Sequence, residues 1–423
     1  MQLVDRSFLG HYSLEALTGA TVAQQNYSMF MLPCVCFAGM AEVFVGQFNG
    51  AKLYKKTSVP ILQIALVLVL FEGLWAPFFI CYRHTFLPDQ FYSVAYPFVL
   101  IGLLIIPFQI LHASFSAFFV GTGQASIILP SVIIANIVNV ILDPIFIFGS
   151  VRWGMGTWLP PQGASGAAWA TLCCTVLSAA ILGYFYFRKT NADMYGTRKF
   201  HWNVPVLKKN ISLAAPYAFS LFVEMANWAI IAKRLAQTSD FEIKLNTLLL
   251  GLWNFLFFAV EGFQKGVIAT ASNLIGARRV DKIPTILQSM KKIAVALLVV
   301  AAFPFLIFAK PVFAALFDAP DIFAFPNALQ VLIVQWVSFA VFSFTMSGLM
   351  GILCAGGDTY YVTCVRLIGC IVCIIIPVQL ITYFGRFTTL HSWSLGLLCA
   401  VVGASWNYRR YKSGKWQHKI ISR

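Results

Sequence analysis

The chain has 423 residues, of which 59% are hydrophobic and only 11% are charged. A soluble domain is typically ~45–50% apolar and ~25% charged, and a water-soluble fold of this length could not bury so much apolar surface. The composition therefore excludes a soluble enzyme, a disordered chain and a disulfide-stapled secreted module. It indicates a polytopic membrane protein.

Apolar runs of about 20 residues, the length that a helix needs to cross a bilayer, recur along the whole chain. We interpret eleven runs as membrane spans: 18–46, 57–81, 92–118, 125–148, 163–187, 211–238, 243–275, 285–309, 325–355, 359–384 and 389–408. They lack the alternating pattern of a transmembrane β-barrel, so helices are the remaining spanning structure. The sequence therefore predicts an all-α membrane protein.

The start of the chain does not complete this pattern. Residues 1–9 (MQLVDRSFL) are an apolar stub too short to span, and the first full run begins at residue 18. A charged amino group near mid-membrane would be costly, so we expect roughly 25–35 further residues to precede Met1 and complete a first helix. The expected architecture is then twelve helices, with the first helix of this chain truncated at its N-terminus.

The basic residues predict the topology. The net charge is +15, and 20 of the 30 Lys and Arg residues lie in four segments, 52–56, 188–209, 278–292 and 409–423. If the eleven spans alternate, these segments share one side, which the positive-inside rule assigns to the cytoplasm. Because the bases are interspersed with apolar runs, topology explains the charge better than nucleic-acid binding does.

The chain also contains an internal repeat. Three dipeptides recur in the same order at offsets of 226, 234 and 236, namely Gly50-Ala51 with Gly276-Ala277, Gly123-Gln124 with Gly357-Asp358, and Phe148-Gly149 with Phe384-Gly385. We therefore predict two six-helix lobes related by a pseudo-two-fold axis along the membrane normal. The predicted domains are an N-lobe (1–187), a cytoplasmic linker (188–210), a C-lobe (211–408) and a basic cytoplasmic tail (409–423).

Six carboxylates fall within the apolar segments, where an ionisable residue is costly and therefore a functional candidate. They are Asp5, Glu42, Glu72, Asp143, Glu224 and Glu261. The roles of Glu42 and Glu72 stay open. Lys265 lies four residues after Glu261, which favours a neutralised structural pair in one helix.

Asp143 has the most informative surroundings. Asn136, Asn139 and Asp143 are spaced by three and four residues and so share one helix face, while Pro144 frees nearby backbone carbonyls. Carboxylate, amide and carbonyl oxygens are suitable ligands for a hard cation, and a desolvated carboxylate could instead carry a proton. The alternative is a hydrogen-bonded cluster that only holds helices together.

Asp5 and Glu224 occupy comparable places in the two lobes, in LVDRSF and FVEMAN at an offset of 219. For each of them the alternative is a structural pair with a base, such as Arg6 beside Asp5. Glu224, Glu261, Gln264 and Asn136 are further candidates for a substrate or second-lobe site.

Enzyme signatures are missing from the sequence. It contains no HExxH, P-loop or GxGxxG motif, and its ten cysteines do not have zinc-ligand spacing. We therefore predict no catalytic residues, no enzymatic activity and no cofactor. Without an ATP site, any pumping must draw on an ion gradient.

The chain resembles the MATE (multidrug and toxic compound extrusion) family of the multidrug/oligosaccharidyl-lipid/polysaccharide flippase superfamily. The resemblance rests on VDRSFLG, VGQFNGAK, GTGQASIILPSVIIANIVNVILDPIFIFG, GASGAAWATL and AGGDT, in this order. It implies a twelve-helix antiporter that exchanges organic cations or amphipathic compounds for inward Na+ or H+ by alternating access. It also implies a multi-pass protein of the inner (plasma) membrane with a cytoplasmic C-terminus, acting as a monomer without nucleic acid.

The resemblance also implies a coupling site in the N-lobe. The family's cation ligands match Asp5, Asn139, Asp143 and Thr171, where Na+ could bind. Glu224 matches an acid that serves the C-lobe in one branch, but the helix-ten aspartate of that branch has no counterpart in Phe342-Ser343-Phe344. We therefore expect coupling in the N-lobe.

The alternative function is that of a lipid-linked saccharide flippase of the same superfamily. Such flippases usually have a cationic cavity. The bases within or at the edge of apolar segments are only Arg6, Lys265 and Arg366, which disfavours an anionic lipid headgroup as the substrate.

Overall fold

The computed structural model describes residues 2–82, 84, 87, 92–150, 159–302, 307–308, 311 and 327–419. Parts of the eighth and ninth predicted spans (303–306, 309 and 325–326) and the end of the predicted tail (420–423) lie outside these residues. The described residues form helices and connecting turns, without any strand among them. This helical architecture is the one that the sequence predicts.

The chain divides into two compact units, one of residues 1–49 and 53–214 and one of residues 50–52 and 215–423. The α-helices up to the boundary are α1 (Gln2–Tyr12), α2 (Leu14–Gly39), α3 (Ala41–Gly50), α4 (Val59–Cys81), α5 (Tyr92–Gly121), α6 (Ile128–Phe148), α7 (Gly163–Tyr186), α8 (Lys189–Tyr195) and α9 (Val204–Thr238), which contains the boundary. The remaining α-helices are α10 (Asp240–Gly276), α11 (Ile283–Leu297), α12 (Ala328–Ser343), α13 (Gly351–Ala355), α14 (Thr359–Gly369), α15 (Ile376–Phe384) and α16 (Thr389–Lys412).

Several of these helices are continued by shorter helical turns. Turns of 3-10 helix cover Tyr54–Lys56, Ala125–Ile127, Val280–Lys282 and Lys415–Lys419, and turns of π-helix cover Leu298–Ala302, Phe344–Met350 and Cys370–Ile375. Ten helical stretches of the described residues are long and apolar enough to cross a membrane. They correspond in order to the first ten predicted spans, and the eleventh predicted span lies within α16.

Side-chain caps set where several helices begin. The Ser13 hydroxyl accepts the Ala16 N–H at 3.0 Å and starts α2, and the Ser239 hydroxyl accepts the Phe241 N–H at 3.1 Å and starts α10. At α16, Thr388 and His391 form a capping box. These caps satisfy backbone donors that a helix start leaves free, which matters most where water is scarce.

The sequence repeat has a counterpart in the backbone. Lys52 and Arg278 follow the matching Gly-Ala pairs, and both have a positive φ, of 60° and 59°, before a turn of 3-10 helix. Gly123 and Gly357, at the second match, have φ values of 78° and 80°. Because non-glycine residues rarely adopt this conformation, its recurrence at Lys52 and Arg278 supports a true repeat.

The packing of the first unit brings four long helices together. Helix α5 packs against α2 and α7, and α6 packs against α7. Gly166 permits a very close approach of α6 and α7, because a Cβ at this position would lie 2.4 Å from the Phe146 carbonyl oxygen. The short helix α1 contacts α2, α6 and α7, which places Asp5 near the helices that carry Asp143 and Thr171.

In the second unit, a buried ion pair ties the end of α16 to the start of α14. Arg410 donates from Nε and Nη2 to the two carboxylate oxygens of Asp358, at 2.6 and 3.2 Å, and the guanidinium lies 4.7 Å from the ring centroid of Tyr361. The Asp358 side chain is fully buried. Such a bidentate pair fixes geometry as well as charge.

We expect Arg410→Gln to destabilise the protein by about 3 kcal/mol, because it leaves the buried Asp358 carboxylate without its guanidinium. The neighbouring, exposed Arg409 provides a matched control, and Arg409→Gln should leave the unfolding temperature unchanged. Thermal unfolding of the purified variants in detergent measures both effects. Equal unfolding temperatures for the two variants would contradict a structural role for the pair.

Candidate functional site

Asp5 and Thr171 meet where α1 packs against α7. The Thr171 hydroxyl donates to Asp5 Oδ2 at 3.1 Å, across 166 residues of sequence. One turn further along α7, the Thr175 hydroxyl donates to the Thr171 carbonyl at 2.8 Å, and Gln109 on α5 donates to Thr175 at 3.4 Å. These bonds connect the turn that carries Thr171 to the neighbouring helix.

Asn139 and Asp143 form the other half of the site on α6. Asn139 Nδ2 donates to Asp143 Oδ1 at 3.1 Å, as the four-residue spacing predicts, and both side chains are fully buried. Pro144 has no backbone N–H, so it cannot bond the carbonyl of Val140 one turn earlier. The carboxyls of Asp5 and Asp143 lie close enough for their charges to interact.

We call Asp5, Asn139, Asp143 and Thr171 the oxygen cluster. Three of its oxygens, Asp5 Oδ1, Asn139 Oδ1 and Asp143 Oδ2, are buried without a hydrogen-bond donor among the described residues. Buried acceptors without a donor are costly, and most native structures contain few of them. A cation bound by oxygens, or a proton on a carboxylate, would satisfy these atoms.

The chemistry of the oxygen cluster suits a monovalent cation better than a transition metal. Its donors are all oxygens, from two carboxylates, one amide and one hydroxyl. Among the described residues, no group of three or more His, Cys, Asp or Glu side chains could hold a metal ion. The cysteines, all described, are free thiols.

The other predicted residues of the first unit have surroundings different from those of the oxygen cluster. Asn136 is half-buried, and its amide donates to the Val132 carbonyl at 2.8 Å. Arg6 is exposed, whereas its neighbour Asp5 bonds Thr171, so the alternative pairing of Asp5 with Arg6 is not the arrangement seen. Glu72 is buried in α4 with 8% of its surface exposed.

The candidates of the second unit separate into different environments. Glu224 forms an ion pair with Arg366, whose guanidinium lies 5.4 Å from the Tyr217 ring centroid. Both charged groups line a cavity of about 160 Å³. Glu261 pairs with Lys265 at 3.4 Å, as predicted from their spacing, and both side chains of that pair are well exposed.

Gln264, the last candidate, is 3% exposed and does not line the cavity. Its amide nitrogen has no hydrogen-bond acceptor in the protein. The predicted group of Glu224, Glu261 and Gln264 is therefore not one site.

Sequence reasoning missed the partner of Glu224. Arg366 is a single base inside a strongly apolar stretch, and a buried base requires a carboxylate or another acceptor. That requirement predicts that Arg366 has an acidic partner, but it does not specify which of the carboxylates in the apolar segments is that partner. The same holds for Asp358, which the sequence places in a turn without indicating that Arg410 binds it.

Comparisons with known proteins agree on one family. The MatE family model matches residues 1–145. No sequence among the curated proteins matches the chain significantly. Solved structures, in contrast, match along nearly its whole length.

Three of these structures describe the common fold. An outward-facing multidrug resistance MATE family transporter of the MOP superfamily is 16% identical, with a TM-score of 0.82, over 98% of this chain and 92% of that chain. The eukaryotic MATE transporter AtDTX14 is 17% identical, with a TM-score of 0.80, over 99% and 92%. A MOP superfamily transporter from Pyrococcus furiosus, whose reversed binding-pocket polarity suggests a different function for it, is 15% identical, with a TM-score of 0.83, over 97% and 91%.

At such low identity the solved structures establish the fold, which is the twelve-helix fold of MATE transporters. The family model adds a match in sequence over the part of the chain that carries α1 and most of α6. Together they agree with the resemblance found in the sequence: residues 1–145 match the MatE family model, and the chain has the fold of MATE transporters.

Proposed function

We propose that the chain is a secondary active antiporter that exports organic cations, drugs or amphipathic metabolites in exchange for inward Na+ or H+. The observation that supports this most directly is the oxygen cluster, with a buried carboxylate at Asp143, a half-buried one at Asp5, and three buried oxygens without a donor among the described residues. Either ion would supply what those oxygens lack. Small compounds and the coupling ion are then the transported partners.

Coupling follows from the charge of the cluster. With both carboxylates ionised and no cation bound, the cluster holds two like charges in a region of low dielectric constant, which is unfavourable. Binding Na+ or H+ reduces that charge. If the inward- and outward-facing states bind the ion with different affinity, ion binding shifts the population between them and drives alternating access.

We assign coupling to the first unit because the carboxylate of the second unit is already neutralised. Glu224 is paired with Arg366, so this pair has no net charge with which to attract a cation. Among the described residues no Lys or Arg forms an ion pair with Asp5 or Asp143, and Arg6 is exposed. Two carboxylates without a base are a stronger cation site than a carboxylate that is ion-paired.

The same features disfavour the alternative, a flippase for lipid-linked saccharides. An anionic headgroup requires a base that is buried and not already neutralised. Of the three bases identified in apolar segments, Arg6 and Lys265 are exposed and Arg366 is paired with Glu224. We further propose a plasma-membrane protein that acts as a monomer with its basic C-terminal segment in the cytoplasm, as its excess of Lys and Arg favours.

We expect Asp5→Asn and Asp143→Asn each to abolish ion-coupled efflux while leaving membrane insertion intact, because each removes a charge that the coupling ion neutralises. Ethidium efflux from cells with equal amounts of each variant in the membrane measures this. Asp281→Asn is the matched control, since Asp281 is an exposed carboxylate in the 3-10 turn Val280–Lys282. Wild-type efflux in either cluster variant would reject the site.

The coupling ion can be identified with the purified chain in proteoliposomes. We expect an imposed gradient of one ion, Na+ or H+, to drive substrate transport when applied alone, and Asp143→Asn to abolish that response. Transport that proceeds equally without either gradient would contradict antiport. Movement of a labelled lipid between leaflets under the same conditions would instead support the flippase.

Stability separates an ion site from a purely structural cluster. Asp143→Asn keeps the acceptor for Asn139 and adds N–H donors beside the unpartnered Asp5 Oδ1, so we expect an unfolding temperature unchanged or raised by about 2–4 °C. The same substitution at the ion-paired carboxylate, Asp358→Asn, should lower the unfolding temperature. A comparable decrease in both variants would mean that the cluster mainly holds helices together.

A further inference from the structure

The cavity of the second unit has aromatic walls. The ring centroids of Trp228 and Trp253 lie 6.1 and 5.5 Å from that of Trp393, and Phe342 lies 5.2 Å from Trp253. These rings line a space of about 160 Å³ between α9, α10, α12, α14 and α16. An apolar cavity of roughly 150 Å³ can bind benzene, so this cavity has room for one aromatic ring.

The polar atoms on the cavity wall include both acceptors and donors that have no hydrogen-bond partner in the described part of the chain. Asn227 Oδ1 and Asn407 Oδ1 accept no hydrogen bond, and Trp393 Nε1 and Arg366 Nη1 donate none. Asn227, Asn407 and Trp393 are only 3%, 1% and 3% exposed. A ligand that offers both an N–H or O–H group and a carbonyl or hydroxyl oxygen would satisfy them.

The net charge of the wall sets the charge of the ligand. Glu224 and Arg366 neutralise each other, and no other Asp, Glu, Lys or Arg lines the cavity in the described part of the chain. A ligand with a net charge would bring an unneutralised charge into a largely buried site, which is unfavourable. The aromatic walls alone would also suit a cation, but the paired guanidinium opposes one.

We propose that this cavity is a binding site for an uncharged aromatic molecule that carries both a hydrogen-bond donor and an acceptor, such as an aromatic amide. The ring lies among the tryptophans, and the polar group reaches Asn227, Trp393 and the free N–H of Arg366. This goes beyond the proposed antiport, because the site belongs to the second unit and its binding requires no ion gradient. Failure of ion-coupled efflux would therefore leave this binding intact.

The test uses three probes with the same ring and different charge, namely benzamide, benzoate and benzylammonium. Binding to the purified full chain in detergent is titrated by saturation-transfer NMR without any gradient. We expect benzamide to bind at least about tenfold more tightly than either ion. Equal binding of the three probes, or preference for benzylammonium, would overturn the proposal.

Variants of the ion pair should reverse this preference. Glu224→Gln leaves the guanidinium without its carboxylate, so benzoate should bind most tightly of the three probes. Arg366→Gln leaves the carboxylate without its guanidinium, so benzylammonium should then bind most tightly. The double variant E224Q/R366Q is neutral again and should keep the wild-type order even if a single variant fails to fold. Unchanged probe order in folded single variants would show that the pair does not select charge.

Two further variants test the hydrogen bonds, and a third variant serves as a control. Trp393→Phe and Asn227→Leu keep the cavity apolar but remove a donor or an acceptor, so each should weaken benzamide binding about five- to tenfold. The charge-pair variant E261Q/K265Q, outside the cavity, should bind all three probes as the wild type does. Full benzamide affinity in both cavity variants would contradict the proposed contacts.

Discussion

The candidate site of the first unit depends on two carboxyl groups, Asp5 and Asp143, that lie close enough for their charges to interact, with no base ion-paired to either among the described residues. Their positions follow from backbone packing. Gly166 allows α7 to approach the Phe146 carbonyl on α6, which brings Thr171 beside the helix that carries Asp143, and α1 packs against both helices. A larger residue at Gly166 would separate the helices whose contact creates the site.

Three carboxylates, Asp358, Glu224 and Asp143, show how surroundings determine what a carboxylate does. Asp358 is fully buried and bound on both oxygens by Arg410, so its charge is compensated and its geometry is fixed. Glu224 is compensated by Arg366, but the pair faces a cavity and leaves one guanidinium N–H without a partner. Asp143 meets only an amide and another carboxylate, and it therefore keeps the greatest capacity to change its charge.

The sequence predicts local geometry well and distant partners poorly, for a physical reason. Helical periodicity alone gives the bond between Asn139 and Asp143 and the contact between Glu261 and Lys265, because both pairs are four residues apart. The bond between Asp5 and Thr171 spans 166 residues, so only the family resemblance suggested it. The pairing of Glu224 with Arg366 depends on how α9 and α14 pack, and no periodicity within either helix specifies that packing.

The chemistry of the two units implies different ways of influencing a conformational change. A ligand shifts an equilibrium between two states only by the difference in its affinity for them. At the oxygen cluster that difference can be large, because an ion changes the charge of a buried site. At the aromatic cavity the ion pair is already neutral, so an uncharged ligand can act only through packing and a few hydrogen bonds. The coupling ion would therefore supply the main driving force, and the cavity would contribute selectivity for the shape and polarity of the molecule it holds.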